Sequence, residues 1–229
     1  RRAALHRPAD FVDMIAKTPL TIAEWRRQRV VYKQGRRAGL LKLGFATFFL
    51  NRCNRSGIIA SGGPIGGLKQ KGPWKIDARF NREDLIARVQ RLAAYRDRID
   101  VVNLDAIEFL RTRIATLSAQ TRPFAYLDPP YFAKGRDLYM NHYGQDDHAA
   151  LATYVRDRLN FPWLISYDDV EPIRRLYRRL RAVPLQLPYT ARERRLGAEV
   201  LILQPHLAFP REWRRGVPLT TADAVTASF

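Results

Sequence analysis

Two consecutive prolines led by an acid and closed by aromatics, Asp128-Pro129-Pro130-Tyr131-Phe132, constrain this chain more than any other stretch. The apolar residues 123–127 before them read as a buried strand that runs into a rigid turn. Each proline fixes φ and lacks a backbone donor, so the turn's carbonyls need partners other than a sheet ladder. That chemistry suits a planar substrate bearing an amino group. The Asp128 carboxylate and a turn carbonyl can each accept one N–H of the amine, while the Tyr131 ring stacks on the heterocycle.

The segments around the turn divide the chain into two regions. Residues 8–16 and 21–33 carry helical patterning, and a basic turn over 33–39 leads to the apolar run 40–50. Residues 54–75 are rich in glycine and basic side chains, leave little to bury, and read as an exposed loop or hairpin module. Asn81, with Asp84 three residues on, marks the start of a helix that continues to about residue 98. From 99 the pattern alternates between strand and helix. Strands are expected over 99–104, 124–127, 163–167, 183–188 and 198–203. Helices are expected over 106–113, from Asp146-Asp147 to 159, and from about 172. The reading is a helical, loop-rich recognition region (1–98) and a doubly wound, Rossmann-like α/β region (99–229). In such sheets ligands sit at the carboxyl ends of the strands, where Asp105, Asp128 and Asp168-Asp169 fall.

Charge narrows the partners. Forty basic residues against 22 acidic give a formal charge of +18, a field that attracts a polyanion. No stretch approaches the ~20 apolar residues a membrane span requires, and the start does not read as a secretory signal. The single cysteine, Cys53, rules out an internal disulfide, fits a reducing compartment such as the cytoplasm, and reads as structural. Histidines 6, 142, 148 and 206 are scattered without zinc spacing, so no metal site is expected.

The Asp128–Tyr131 turn resembles the motif of amino-group methyltransferases that use S-adenosylmethionine. Three further stretches make the chain similar to the Dam-like, D12 class of adenine-N6 DNA methyltransferases. They are Gly44–Arg52 with Ser56–Ile59, then Arg79-Phe80-Asn81, then Trp163–Asp169. The resemblance implies a catalytic set of Asp128, Pro129, Pro130 and Tyr131, and a target base flipped out of the duplex. It implies S-adenosylmethionine contacts at Asp105, Asp128 and Phe132; Asp105 equally suits a helix cap. Contacts to double-stranded DNA fall to Asn51, Arg52, Asn54, Arg55, Ser56, Gly57, Lys69, Lys71 and Arg79. Tyr189, Arg192, Arg194 and Arg195 form a weaker phosphate patch, and Asp168-Asp169 is expected to cap the next helix.

The family's lysine-bearing start, its Phe-x-Gly-x-Gly loop and the following acidic strand end do not occur before Asp128. The expectation is a chain truncated at its amino terminus, or a degenerate gene copy, that holds half of the cofactor site and by itself neither binds the cofactor well nor transfers methyl groups. The implied role is a monomeric, cytoplasmic enzyme of a restriction–modification system or a phage. Two alternatives stand beside it: a non-catalytic DNA-binding remnant, and a methyltransferase acting on RNA or another amino group.

Overall fold

The computed structural model describes residues 2–114, 122–133, 143–189, 195–205 and 207, and the side chains of 186–198 lie outside the description. The chain divides into two units, Arg1–Asn103 and Leu104–Phe229.

The first unit is helical: α1 (Arg2–His6), α2 (Pro8–Lys17), α3 (Ile22–Gln34), α4 (Leu40–Cys53) and α5 (Arg82–Ala94). Their starts follow local chemistry. Pro8 opens α2, where a missing N–H costs nothing. Thr21 accepts from the Glu24 N–H at the start of α3, and Asn81 from the Asp84 N–H at the start of α5. Helix α4 is the hub. Phe45, Ala46, Phe49, Leu50 and Cys53 recur at helical spacing and are fully buried, facing Phe11, Trp25 and Phe80. The rings meet edge-on, Phe11 with Phe48 at 5.4 Å and Phe48 with Phe80 at 5.8 Å. Gly44 permits the closest approach, since a Cβ there would stand 2.5 Å from Ala3 Cβ on α1. Arg82 donates to the Ile15 and Thr18 carbonyls and so closes the carboxyl end of α2.

Residues 54–75 form turns, a short 3-10 segment at Arg55–Gly57 and an isolated bridge between Asn54 and Pro64. This segment is less free of the core than its composition suggests. Asn54 is fully buried. Its Oδ1 accepts from Trp25 Nε1 at 2.7 Å, and its Nδ2 donates to the Ile58 and Ile59 carbonyls. Asn54 thus pins the loop to α3 and satisfies a buried indole N–H that would otherwise cost about 1–3 kcal/mol.

The second unit holds α6 (Ala106–Phe109), a π turn (Leu110–Ile114), β1 (Ala125–Leu127), α7 (Gln145–Arg158), β2 (Trp163–Asp168), α8 (Glu171–Leu176), β3 (Arg181–Tyr189) and β4 (Arg195–Leu203). The strands form one sheet in the order β1-β2-β4-β3. Strand β1 is parallel to β2, and β4 is antiparallel to both β2 and β3. Pro184 and Pro188 are tolerated because β3 is an edge strand and a missing N–H can face outward. The result is a mixed α/β unit. The strand expected over 99–104 is absent: these residues join no ladder among the described residues, and Asn103 and Leu104 are exposed. Two valines and an isoleucine supplied strand propensity there, but a strand exists only where a partner strand takes its hydrogen bonds.

Strand alternation gives this sheet two unlike faces. Trp163, Ile165, Tyr167, Val200 and Ile202 point to one side and pack with Leu151, Val155, Ile173 and Tyr177 from α7, α8 and the residue after it. The opposite side carries Tyr126, Ser166, Asp168 and Glu199, together with the buried apolar residues Val183, Leu185 and Leu203. The polar residues of this face gather at the end of β1, where the two prolines begin.

Candidate active site and nucleic-acid surface

Asp128 is the first residue after β1 and is exposed, whereas Pro129 behind it is buried. Ser166 Oγ, on the neighbouring strand, donates to Asp128 Oδ1 at 2.9 Å and lies 3.0 Å from the Tyr126 hydroxyl. Parallel pairing puts Tyr126, Ser166 and Asp128 on one face, so the serine fixes one carboxylate oxygen while the group remains open to solvent.

The residues after the prolines are held by β2 and β4. Asp168, 8% exposed at the end of β2, accepts from the Phe132 N–H through Oδ1 and the Ala133 N–H through Oδ2, both at 2.8 Å. Hydrogen bonds of this kind, with an ionised acceptor, are about twice as strong as neutral ones. The Tyr131 hydroxyl donates to Glu199 on β4. Phe132 leans the other way, its ring 5.1 Å from that of His148 on α7. The turn thus straddles the end of the sheet, with Tyr131 toward the polar face and Phe132 toward the helices.

The expected cap role of Asp168-Asp169 is not what these acids do. Helix α8 begins after Val170 with no side-chain cap. Asp168 holds the turn, and Asp169 pairs with Arg174 through contacts of 2.5 and 2.7 Å. A strand-end acid can serve the helix that follows it or the loop of the next strand, and local spacing does not distinguish the two. Asp105 does cap α6, with Oδ1 accepting from the Ile107 and Glu108 N–H groups. Its Oδ2 receives the Tyr143 hydroxyl at 3.4 Å, and Tyr143 stands 5.4 Å from His148. Asp105, Tyr143, His148 and Phe132 are therefore a chain of neighbours. A carboxylate beside aromatic walls fits an adenosyl group, whose hydroxyls donate and whose base stacks.

Sequence reasoning passed over Ser166, Glu199 and His148. Counting back two from Asp168 along a strand would have found Ser166. Glu199 becomes visible only once its pairing with Asp168 is known. His148 is buried, with Nδ1 3.0 Å from the Tyr167 hydroxyl. Its Nε2 meets no partner among the described residues.

In the helical unit, the candidate DNA contacts divide into framework and surface. Asn54 is framework: it is buried and its amide is fully engaged, so it leaves the set of DNA-facing groups. Asn51 donates to the Gly57 carbonyl and accepts from Arg52, which orders that guanidinium at the end of α4. The backbone turns back through positive φ at Ser56 (54°) and Gly57 (70°). Arg55, Ser56, Lys69, Lys71 and Arg79 are exposed. Partial burial, followed by the like charges of Arg79 and Arg88, pulls the Arg52 pKa below its ordinary value. An anion would relieve that repulsion. Burial, with Asp77 nearby, pushes the Cys53 thiol up to about 12, which makes it inert. Of the weaker patch, Arg192 and Arg194 fall outside the described residues, as do the side chains of Tyr189 and Arg195. Among the described residues no cluster of potential metal ligands occurs, and no helix is long and apolar enough to cross a membrane.

Burial lowers the His148 pKa, against the opposing pull of Asp168 and Asp147. The folded state thus resists a proton that the unfolded chain accepts at about 6.5. Stability contributed by neutral His148 is present above that pH and is lost as pH falls through it toward the folded value. Urea midpoints between pH 8 and 5 should fall on acidification, and His148→Phe should flatten that fall. An unchanged slope in the variant would remove His148 as its source.

A family model described as D12 class N6 adenine-specific DNA methyltransferase matches residues 47–190. Comparison with curated protein sequences returned no match. The matched span covers well over half of the chain and includes Asp128, Ser166 and Asp168, and the chain belongs to that family.

Proposed function

From membership of the D12 class we propose that this chain is a site-specific DNA methyltransferase, of restriction–modification or phage type, that moves a methyl group from S-adenosylmethionine to adenine N6 in DNA. The observation that carries this reading is the exposed Asp128 carboxylate at the end of β1, fixed through one oxygen by Ser166 and followed by a turn fastened to Asp168.

The adenine amine is a poor nucleophile because its lone pair is delocalised into the ring. Asp128 and the Pro129 carbonyl each accept a hydrogen bond from one of its N–H groups, which favours a tetrahedral nitrogen with a localised lone pair. The methylated nitrogen then sheds one proton to solvent past the exposed Asp128. Bound S-adenosylmethionine supplies a methyl group made electrophilic by its sulfonium sulfur. Asp105, Phe132 and Asp128 would hold it, the first two at its adenosyl part. Positioning and stabilisation of charge on the nitrogen account for the catalysis. Tyr131 offers a stacking surface that offsets part of the few kcal/mol needed to extrude the base from the duplex.

In the full-length protein, Asp128→Ala should lower methyl transfer to adenine-containing duplex by on the order of a hundredfold or more, while DNA affinity changes only a few fold. Transfer of label from the cofactor at the parental rate would remove Asp128 from the mechanism.

The Arg52, Arg55, Lys69, Lys71 and Arg79 surface, ordered by Asn51 and the Ser56-Gly57 turn, is assigned to duplex DNA. Arg52→Glu with Arg79→Glu should weaken binding to all duplex sequences and make its salt dependence shallower. Fluorescence anisotropy titrations across a range of salt concentrations measure both quantities. Unaltered affinity and slope would place the DNA elsewhere.

A further inference from the structure

Asp168 and Glu199 are direct cross-strand partners on β2 and β4, and both are buried, 8% and 7% exposed. Like charges so placed repel, and taking each out of water costs more. Donors from three consecutive turn residues offset this: the Phe132 and Ala133 N–H groups on Asp168, and the Tyr131 hydroxyl on Glu199. The two acids divide the labour. Asp168 grips backbone and so fixes where the turn runs. The contact to Glu199 is made by a side chain at the far end of an aromatic ring. With the Tyr131 backbone placed by its neighbours and its hydroxyl placed by Glu199, χ1 is set and the long axis of the ring is fixed in advance.

We propose that Glu199 is a positioning residue for methyl transfer, which sets the Tyr131 ring so that a stacked adenine presents its amine to Asp128. This rests on the proposed function, and it adds to the turn a residue about seventy positions away in sequence, held on the antiparallel strand β4. A ring free to swing about χ1 would still stack on a base but would carry its amine away from Asp128, and misplacement by about 1 Å costs on the order of a hundredfold in rate. The penalty should appear in kcat rather than in the KM for DNA.

The test uses the full-length protein with adenine-containing duplex and labelled cofactor. Glu199→Ala should lower kcat by about ten- to a hundredfold with KM for DNA little changed. Glu199→Gln, which keeps an acceptor oxygen for the hydroxyl, should restore most of the rate. Tyr131→Phe, which deletes only the hydroxyl, should match Glu199→Ala, and the double variant should be no slower than either single one. NMR couplings that report χ1 of Tyr131 should show a single rotamer in the parent and Glu199→Gln, and an average over rotamers in Glu199→Ala. Should Glu199→Ala fail to fold, Tyr131→Phe still decides. A parent that transfers methyl groups while Tyr131→Phe keeps the parental kcat, or additive losses in the double variant, would overturn this inference alone. A parent that transfers nothing to adenine would overturn the reaction itself and Glu199's part in it.

Discussion

The site depends on the capture of two backbone N–H groups by one buried carboxylate. The Pro129-Pro130 pair strips the turn of donors, so it cannot be woven into the sheet. The first donors after the prolines and Tyr131 belong to Phe132 and Ala133, and Asp168 takes both. Everything the site needs follows from that anchor. Asp128 is left at the strand end with one oxygen on Ser166, Tyr131 reaches Glu199, and Phe132 closes against His148. A rigid turn alone would be stiff but unplaced. Fastened to β2, it becomes a fixed platform of the kind that lets an enzyme act by positioning.

The sheet supplies the platform through alternation. Strand β2 gives Trp163, Ile165 and Tyr167 to the apolar core, and Ser166 and Asp168 to the polar side that serves the turn. Packing and chemistry are thus written on alternate residues of one strand. A change at Trp163, Ile165 or Tyr167 should act through stability, and one at Ser166 or Asp168 through the site. The helical unit uses the same economy at the end of α4, where buried Asn54 secures the loop and half-buried Arg52 is presented beside Arg79.

What could be read from the sequence was local. The acid–proline–proline–aromatic turn is short and has one steric solution, and the helices of the first unit announce themselves through Pro8, Thr21 and Asn81 at their starts. Errors arose where the outcome depends on a distant partner. Residues 99–104 have the composition of a strand but join no ladder among the described residues. Asn54 lies in a basic, glycine-rich stretch yet is claimed by Trp25, 29 positions earlier. Asp168 has the spacing of a helix cap but serves a turn 35 residues upstream. Glu199 had no local signal at all, because its meaning comes from strand register.

The central claim, that the Asp128–Tyr131 turn directs a methyl group to the exocyclic amine of adenine in DNA, is tested most directly by the chemical identity of the product. Duplex DNA incubated with the full-length protein and isotopically labelled S-adenosylmethionine can be digested to nucleosides and resolved by mass spectrometry. The account predicts label in N6-methyladenine, and none there when Asp128 is replaced by alanine. Label in N4-methylcytosine, or none in any nucleoside, would contradict it.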